Sequence, residues 1–180
     1  ASVLEDHLDC EQGDLPEEIF RKDLLCPRIF LEELTPYRSM IREFFEEETK
    51  HSFAEQPERI LDYLKKNITF HAEEEYDTIM ATPVGVLTMK QGSPLAQKIL
   101  FVAICRSLNV AARLNPVTLE PEYYHNGAFH SVETEAAVLE EETESAVLAL
   151  NAEDGSVWKY YQTWTIGKWN GTVFLSLIHI

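Results

Sequence analysis

Apolar positions run almost without interruption from Leu95 to Leu108, and the rest of the chain is organised around that stretch. Leu95, Ala96, Ile99 through Cys105 and Leu108 cover nearly the whole circumference of a helix, which predicts a central element shielded from water on every side. Ser93 followed by Pro94 marks its start. The serine hydroxyl can cap a free amide, and proline's missing N–H costs nothing at the first helical position. Asn109 suits the left-handed residue that ends a helix, and Val110–Leu114 then runs short and apolar, as a core strand does.

Ahead of this stretch the spacing is helical. Asp14 is placed to cap a short helix starting near Pro16, with Glu17 and Glu18 in its first turn, where the helix dipole favours them. Thr35 and Pro36 repeat the cap signal, and Tyr37, Met40, Ile41, Phe44 and Phe45 recur at three-and-four spacing, predicting an amphipathic helix that ends near Lys50. Pro57–Lys66 reads as another helix, with Ile60, Leu61 and Leu64 inward and Asn67 as its stop. From Ile68 to Gly92 the pattern weakens. It holds at most a short strand and otherwise reads as a turn-rich loop, punctuated by Pro83, Gly85 and Gly92. Alternation returns at Ala128–Val132 and Ala146–Leu150, and Glu153–Gly155 and Trp169–Thr172 read as hairpin turns, the second through Asn170-Gly171. The fold class expected is therefore α+β: helices first, one central helix, then an antiparallel sheet.

The run Arg106-Ser-Leu-Asn-Val-Ala-Ala-Arg113 resembles the R-x-L-G-I-P-A-R run of transglutaminase-like domains, with TPVGVL ahead of it and LNPVTLEPEYYHNGAF and YYQTWTIGKWNGT after it. It resembles a bacterial subset of large proteins that carry this domain, over roughly residues 14–175. The resemblance implies a papain-related architecture, divided here into residues 1–135 as the domain proper and 136–180 as further strands, a continued sheet or the start of a β-domain. In the family the central helix begins Gly-x-Cys with a catalytic cysteine, and a histidine and an aspartate follow on later strands. Here that run is Gly92-Ser93-Pro94. The family's His-Ala-Trp falls on Gly127-Ala128-Phe129, so the cysteine and histidine positions both hold other residues.

Charge narrows the partners. With 31 acidic against 15 basic residues the net charge is −16, which repels nucleic acid and anionic membrane surfaces. The acidic runs read as solvated faces, because no D-x-D-x-D-G calcium loop occurs. Cys10, Cys26 and Cys105 do not form a disulfide framework; Cys105 belongs to the core, and Cys10 and Cys26 are either free or paired. No apolar run reaches the 18 residues of a membrane span, and no signal peptide is present in this segment. The sequence starts without methionine and stops within an apolar pattern, which reads as a fragment whose last residues, LSLIHI, resemble translated adapter sequence.

Candidate chemistry concentrates at the front of the central helix. A helix start offers free amides and positive potential that lower a thiol's pKa and stabilise an oxyanion. Pro94 fills the nucleophile slot and Ser93 is its one reactive neighbour, but a serine needs a base within hydrogen-bond reach. The base candidates are His130, one residue beyond Phe129 and so on the other strand face, and His125, read as lying in the preceding turn. Asp154 falls in a turn, and the remaining histidines show no zinc spacing. Neither a metal nor a cofactor is expected. Tyr123, Tyr124 and Phe129 are candidate binding residues near a vestigial cleft. The expected function is a divergent member without the Cys-His pair, serving as a binding or structural module for protein, peptide or glycan in a larger extracellular or cell-surface protein. The alternative is an acyl-transfer or peptide-hydrolysing enzyme of transglutaminase or protease type, with Ser93 and His130 as its catalytic pair.

Overall fold

Caps set by the local sequence decide where most of the helices begin. In a computed structural model of the chain, residues 2–70 and 81–132 are described, together with the backbone of 167–169 and 174–176. The first helix, α1 (Val3–Leu8), opens with a capping box: the Ser2 hydroxyl accepts from the Glu5 amide, and the Glu5 carboxylate accepts from the Ser2 amide. The short α2 (Glu17–Ile19) starts at Pro16 with no side-chain cap, so Asp14 does not perform the capping expected of it. It runs directly into a π-helical segment (Phe20–Leu25), where the Cys26 amide donates to the Arg21 carbonyl five residues back.

One expected helix is two. The face beginning at Tyr37 forms α3 (Arg38–Phe44), and Phe45 then turns extended before α4 (Glu47–Glu55) begins. That break swings the Phe45 ring edge-on against Phe53 and Tyr63, at 5.3 and 5.1 Å between ring centres. Neither Thr35 nor the N-cap residue Tyr37 caps α3 with a side chain. Asp6 arrives from α1 instead, its carboxylate accepting from the Arg38 amide (2.8 Å), the Ser39 amide (2.9 Å) and the Ser39 hydroxyl (2.6 Å). Helix α5 (Glu58–Asn67) buries Ile60 and Leu64 as its spacing requires.

The stretch read as a loop contains a further helix, α6 (Pro83–Met89), capped by the Thr82 hydroxyl accepting from the Gly85 amide. Thr82-Pro83 is the same signal as Ser93-Pro94, and only the following glycine masks it. An isolated bridge pairs Thr69 with Gln91 ahead of the central helix. That helix, α7 (Pro94–Ser107), has Ser93 as its N-cap, and every residue from Ile99 to Cys105 has no exposed surface. It packs against α3, α5 and α6 and against the first two strands. Asn109 closes it with φ of 60°.

The chain then forms β1 (Ala112–Leu114), β2 (Pro121–His125) and β3 (Ala128–Ser131), an antiparallel sheet in that order. Ala112 faces Tyr123 across β1–β2, while Tyr123 faces His130 and Tyr124 faces Phe129 across β2–β3. His125 is the last residue of β2, not part of the turn as expected. The turn is Asn126-Gly127 alone, with φ of 50° and 84°, the two positive angles that a two-residue hairpin of matching twist needs. The fold is thus mixed α+β, as expected, with all the described helices before the sheet.

The chain divides into two compact units, Ala1–Glu140 and Glu141–Ile180. In the second, β4 (Gly167–Trp169) pairs antiparallel with β5 (Phe174–Ser176), Trp169 opposite Phe174. The Asn170-Gly171 turn between them, the strand at Ala146–Leu150 and the turn at Glu153–Gly155 lie outside the described residues.

Candidate functional site

The front of α7 is built tightly from ordinary parts. Gly92 passes so close to α6 that a Cβ there would lie 2.8 and 3.1 Å from the Val86 methyls, so the chain needs glycine to enter the helix at this point. Its amide donates to the Thr69 carbonyl (3.1 Å), and its carbonyl accepts from the Gln97 side chain (2.9 Å). The Ser93 hydroxyl accepts from the Ala96 amide at 3.2 Å, which makes it a helix cap. The first three residues are therefore fixed by hydrogen bonds and packing, and Pro94 carries no group that could act as a nucleophile.

The histidines are grouped elsewhere. His130 brings Nε2 to 3.1 Å from the His125 carbonyl, and because a carbonyl only accepts, Nε2 is the donor. The ring lies nearly parallel to Tyr123, 5.5 Å between centres, and 6.1 Å from the His125 ring. Tyr123 is buried, its hydroxyl donating to Glu58 Oε1 at the start of α5. Burial, reinforced by that carboxylate, pushes the phenol up to about 12. The Cys105 thiol bears on the same hydroxyl, so Tyr123 packs against the later turns of α7, and Cys105 stands about 18 Å along the axis from Ser93. Burial also drives the Cys105 thiol well above its ordinary range, leaving it protonated. Among the described residues no hydrogen bond joins Ser93 to His125 or His130.

The three candidate binding aromatics are divided between the two faces of the sheet. Strand alternation puts Tyr123, His125 and His130 on one face and Glu122, Tyr124, Phe129 and Ser131 on the other. On that second face the Tyr124 and Phe129 rings meet edge to face at 5.2 Å, and the Arg113 guanidinium lies over Phe129 at 3.6 Å. Arg113 Nε also donates to Glu122 (3.0 Å), whose other oxygen accepts from the Asn115 amide group (2.7 Å). The sequence carried the signal for this split, since Asn126-Gly127 fixes the hairpin register and with it the face of every residue.

The rear of α7 holds the densest polar construction, which sequence reasoning missed. Arg106 is 2% exposed. It donates from Nε to the Ala112 carbonyl (2.8 Å) and from Nη1 to the carbonyls of Cys26 (2.8 Å) and Arg28 (3.0 Å), tying the segment after the π-helical turn to the base of the sheet. Asp23 lies within its field, but burial dominates and raises that carboxyl above its usual range. The available signal was an arginine at the end of a helix that is apolar from Ile99 to Cys105, since such a residue is buried only when its donors are satisfied. No group of three or more potential metal ligands occurs among the described residues.

Neither a curated protein nor a solved structure matches the chain. The family profile of the transglutaminase-like superfamily matches residues 38–134, from the first residue of α3 through the whole of α7 to just beyond β3. The capped buried helix, the strand it feeds and the hairpin after it are the parts that profile spans, and on that match the chain belongs to the transglutaminase-like superfamily.

Proposed function

We propose that this is a non-catalytic member of the superfamily, acting as a binding or structural module within a larger extracellular or cell-surface protein. The observation that carries the reading is the Ser93 hydroxyl, taken up as a helix cap 3.2 Å from the Ala96 amide, with Pro94 beside it. Cysteine acyl-enzyme chemistry needs a thiolate at this helix start, and a serine in its place needs a base at hydrogen-bond distance. The His130 imidazole is engaged with the His125 carbonyl and with the Tyr123 ring instead, and the His125 ring stands 6.1 Å from it. The binding role falls to the second sheet face, where the half-buried Tyr124 and Phe129 rings and the Arg113 guanidinium stand together, Arg113 held by the buried Glu122. That mixture suits a protein, peptide or glycan surface.

The rival reading is an acyl-transfer or peptide-hydrolysing enzyme with Ser93 as nucleophile and His130 as base. Incubation with a glutamine-donor peptide and a primary amine separates the two. The expected result is no product above background, together with thiol-alkylator labelling at Cys10 and Cys26, both partly exposed, and none at Cys105. Turnover that disappears in Ser93→Ala while persisting in Cys10→Ala and Cys26→Ala makes the domain an enzyme.

A further inference from the structure

We propose that α1 is a pH-released strap, locked down near neutral pH by an uncharged His7 and let go when that ring takes up a proton. His7 is 2% exposed. Its Nδ1 donates to the Val3 carbonyl at 2.8 Å, which leaves Nε2 as the bare nitrogen of the neutral ring, and Nε2 is enclosed with no hydrogen-bond partner among the described residues. The ring stands edge-on to Tyr37, 4.6 Å between centres. A proton added at Nε2 becomes a buried donor with nothing to accept it.

The charged and titratable groups that bear on the ring come from three elements. Asp6, on α1 itself, lies 3.8 Å from Nδ1 and favours the charged ring. Arg38 of α3 and Arg106 of α7 oppose it, and Tyr37 supplies the ring against which the imidazole packs. Burial is the largest influence and, with the two guanidiniums, outweighs the Val3 carbonyl and Asp6, which both favour the charged ring, so the imidazole is held below its ordinary 6.5. A group whose folded value is depressed contributes stability that is complete above its unfolded value and lost as pH falls towards the folded one. The docking of α1 therefore weakens below about 6.5. The Asp6 carboxyl is itself held below its ordinary 3.8, so its own protonation belongs to a lower range.

Little else holds the strap. It is six residues long, and Leu4 and Leu8 are 67% and 58% exposed. Its remaining attachments are the Asp6 cap on α3 and the Arg42–Asp9 pair, whose Asp9 side chain is 76% exposed. Release is thus a local event that uncovers Tyr37, Arg38 and the first turn of α3 while α7 stays packed.

Amide hydrogen exchange on the whole chain between pH 6.5 and 4.5, corrected for the intrinsic rate, tests this. The opening equilibrium of residues 3–8 should rise as pH falls below 6.5, approaching at most about tenfold per pH unit, the limiting slope for one proton, with protection across 99–105 unchanged. In His7→Gln the dependence should flatten. Constant protection of α1 over this range, or the same slope in His7→Gln, overturns the proposal. Should His7→Gln fail to dock α1, the native imidazole decides the matter by NMR titration. A ring that stays neutral until α1 opens supports the lock, and one that protonates near 6.5 with α1 still protected refutes it.

Discussion

The two ends of α7 are constructed on opposite principles. At the front, where the family places its chemistry, most contacts are short-range: Ser93 bonds three residues along, Gln97 reaches back to Gly92, and α6 packs alongside, with single longer ties from Gly92 to Thr69 and from Lys98 to Glu120. At the rear, Arg106 bonds carbonyls about 80 residues earlier in the chain and another on the first strand. The front therefore tolerates change at the level of one cap, while the rear integrates the amino-terminal segment, the helix and the sheet. The densest of the long-range polar connections thus lies some three turns from the start of the helix. Removing groups at each end should expose that asymmetry.

Arg106→Met should have the largest effect. It leaves the carbonyls of Ala112, Cys26 and Arg28 without their donor, and buried acceptors left unsatisfied cost about 1–3 kcal/mol each. Allowing for relaxation, a loss of about 3–5 kcal/mol is expected in urea unfolding, a large part of the stability of a domain this size. A loss under about 1 kcal/mol would show that water replaces the guanidinium freely and that the rear is no better integrated than the front.

Gly127 tests the expectation that the family's histidine position falls on the hairpin turn. Its φ of 84° and the open space around it mean that a side chain there meets strain in the backbone only. Gly127→Ala and Gly127→His should both cost about 1–2 kcal/mol, the penalty of a left-handed residue with a Cβ. Pro94→Cys combined with Gly127→His should still give no transamidation, because residue 127 sits at a hairpin tip carried by strands that pack against the later turns of α7. Activity in that double variant would bring the two ends of the helix functionally together and undo the comparison.

The same contrast explains what could be read from sequence. Ser93, Asn109 and the apolar circumference of α7 are local signals, and the helix begins and ends where they place it. The split into α3 and α4 was not legible, because the cap of α3 comes from Asp6, 32 residues away, and the break at Phe45 serves an aromatic cluster assembled from three segments. For α6 the Thr82-Pro83 cap was present but was read as punctuation. The absence of a cysteine at the helix start was visible directly in Gly92-Ser93-Pro94. The face assignment of Tyr123, Tyr124 and Phe129 depended on register, which Asn126-Gly127 encodes and which the alternation at Ala128–Val132 alone does not.

Ser93→Ala should cost about 1 kcal/mol, the usual worth of a serine cap, and change nothing in a transamidation or peptide-hydrolysis assay. Thermal unfolding provides the stability measurement, and Thr82→Ala in the equivalent cap of α6 provides the control. If Ser93→Ala cost several times more than Thr82→Ala, the front of α7 would be carrying long-range structure after all. Equal small losses would confine the role of Ser93 to its own helix.

The smallest effect is expected at the second buried arginine, and it separates donor satisfaction from charge. Arg38 has no exposed surface, yet its guanidinium donates from Nη2 to the Leu24 carbonyl while Nε and Nη1 have no partner among the described residues. Replacing a poorly compensated buried charge with an apolar side chain of similar length is often neutral or stabilising, so Arg38→Met should change stability by less than about 1 kcal/mol. Its amide still receives the Asp6 cap, because that bond is to the backbone. What should change is the strap. Arg38 is one of the groups that hold the His7 imidazole down, so its removal raises the folded value towards 6.5, narrows the gap from the unfolded one and flattens the loss of α1 protection below pH 6.5. A variant that unfolds like Arg106→Met would mean that Arg38 has partners equivalent to those of Arg106. One that keeps both its stability and the full pH dependence of α1 would remove Arg38 from the lock and leave burial alone to keep His7 neutral.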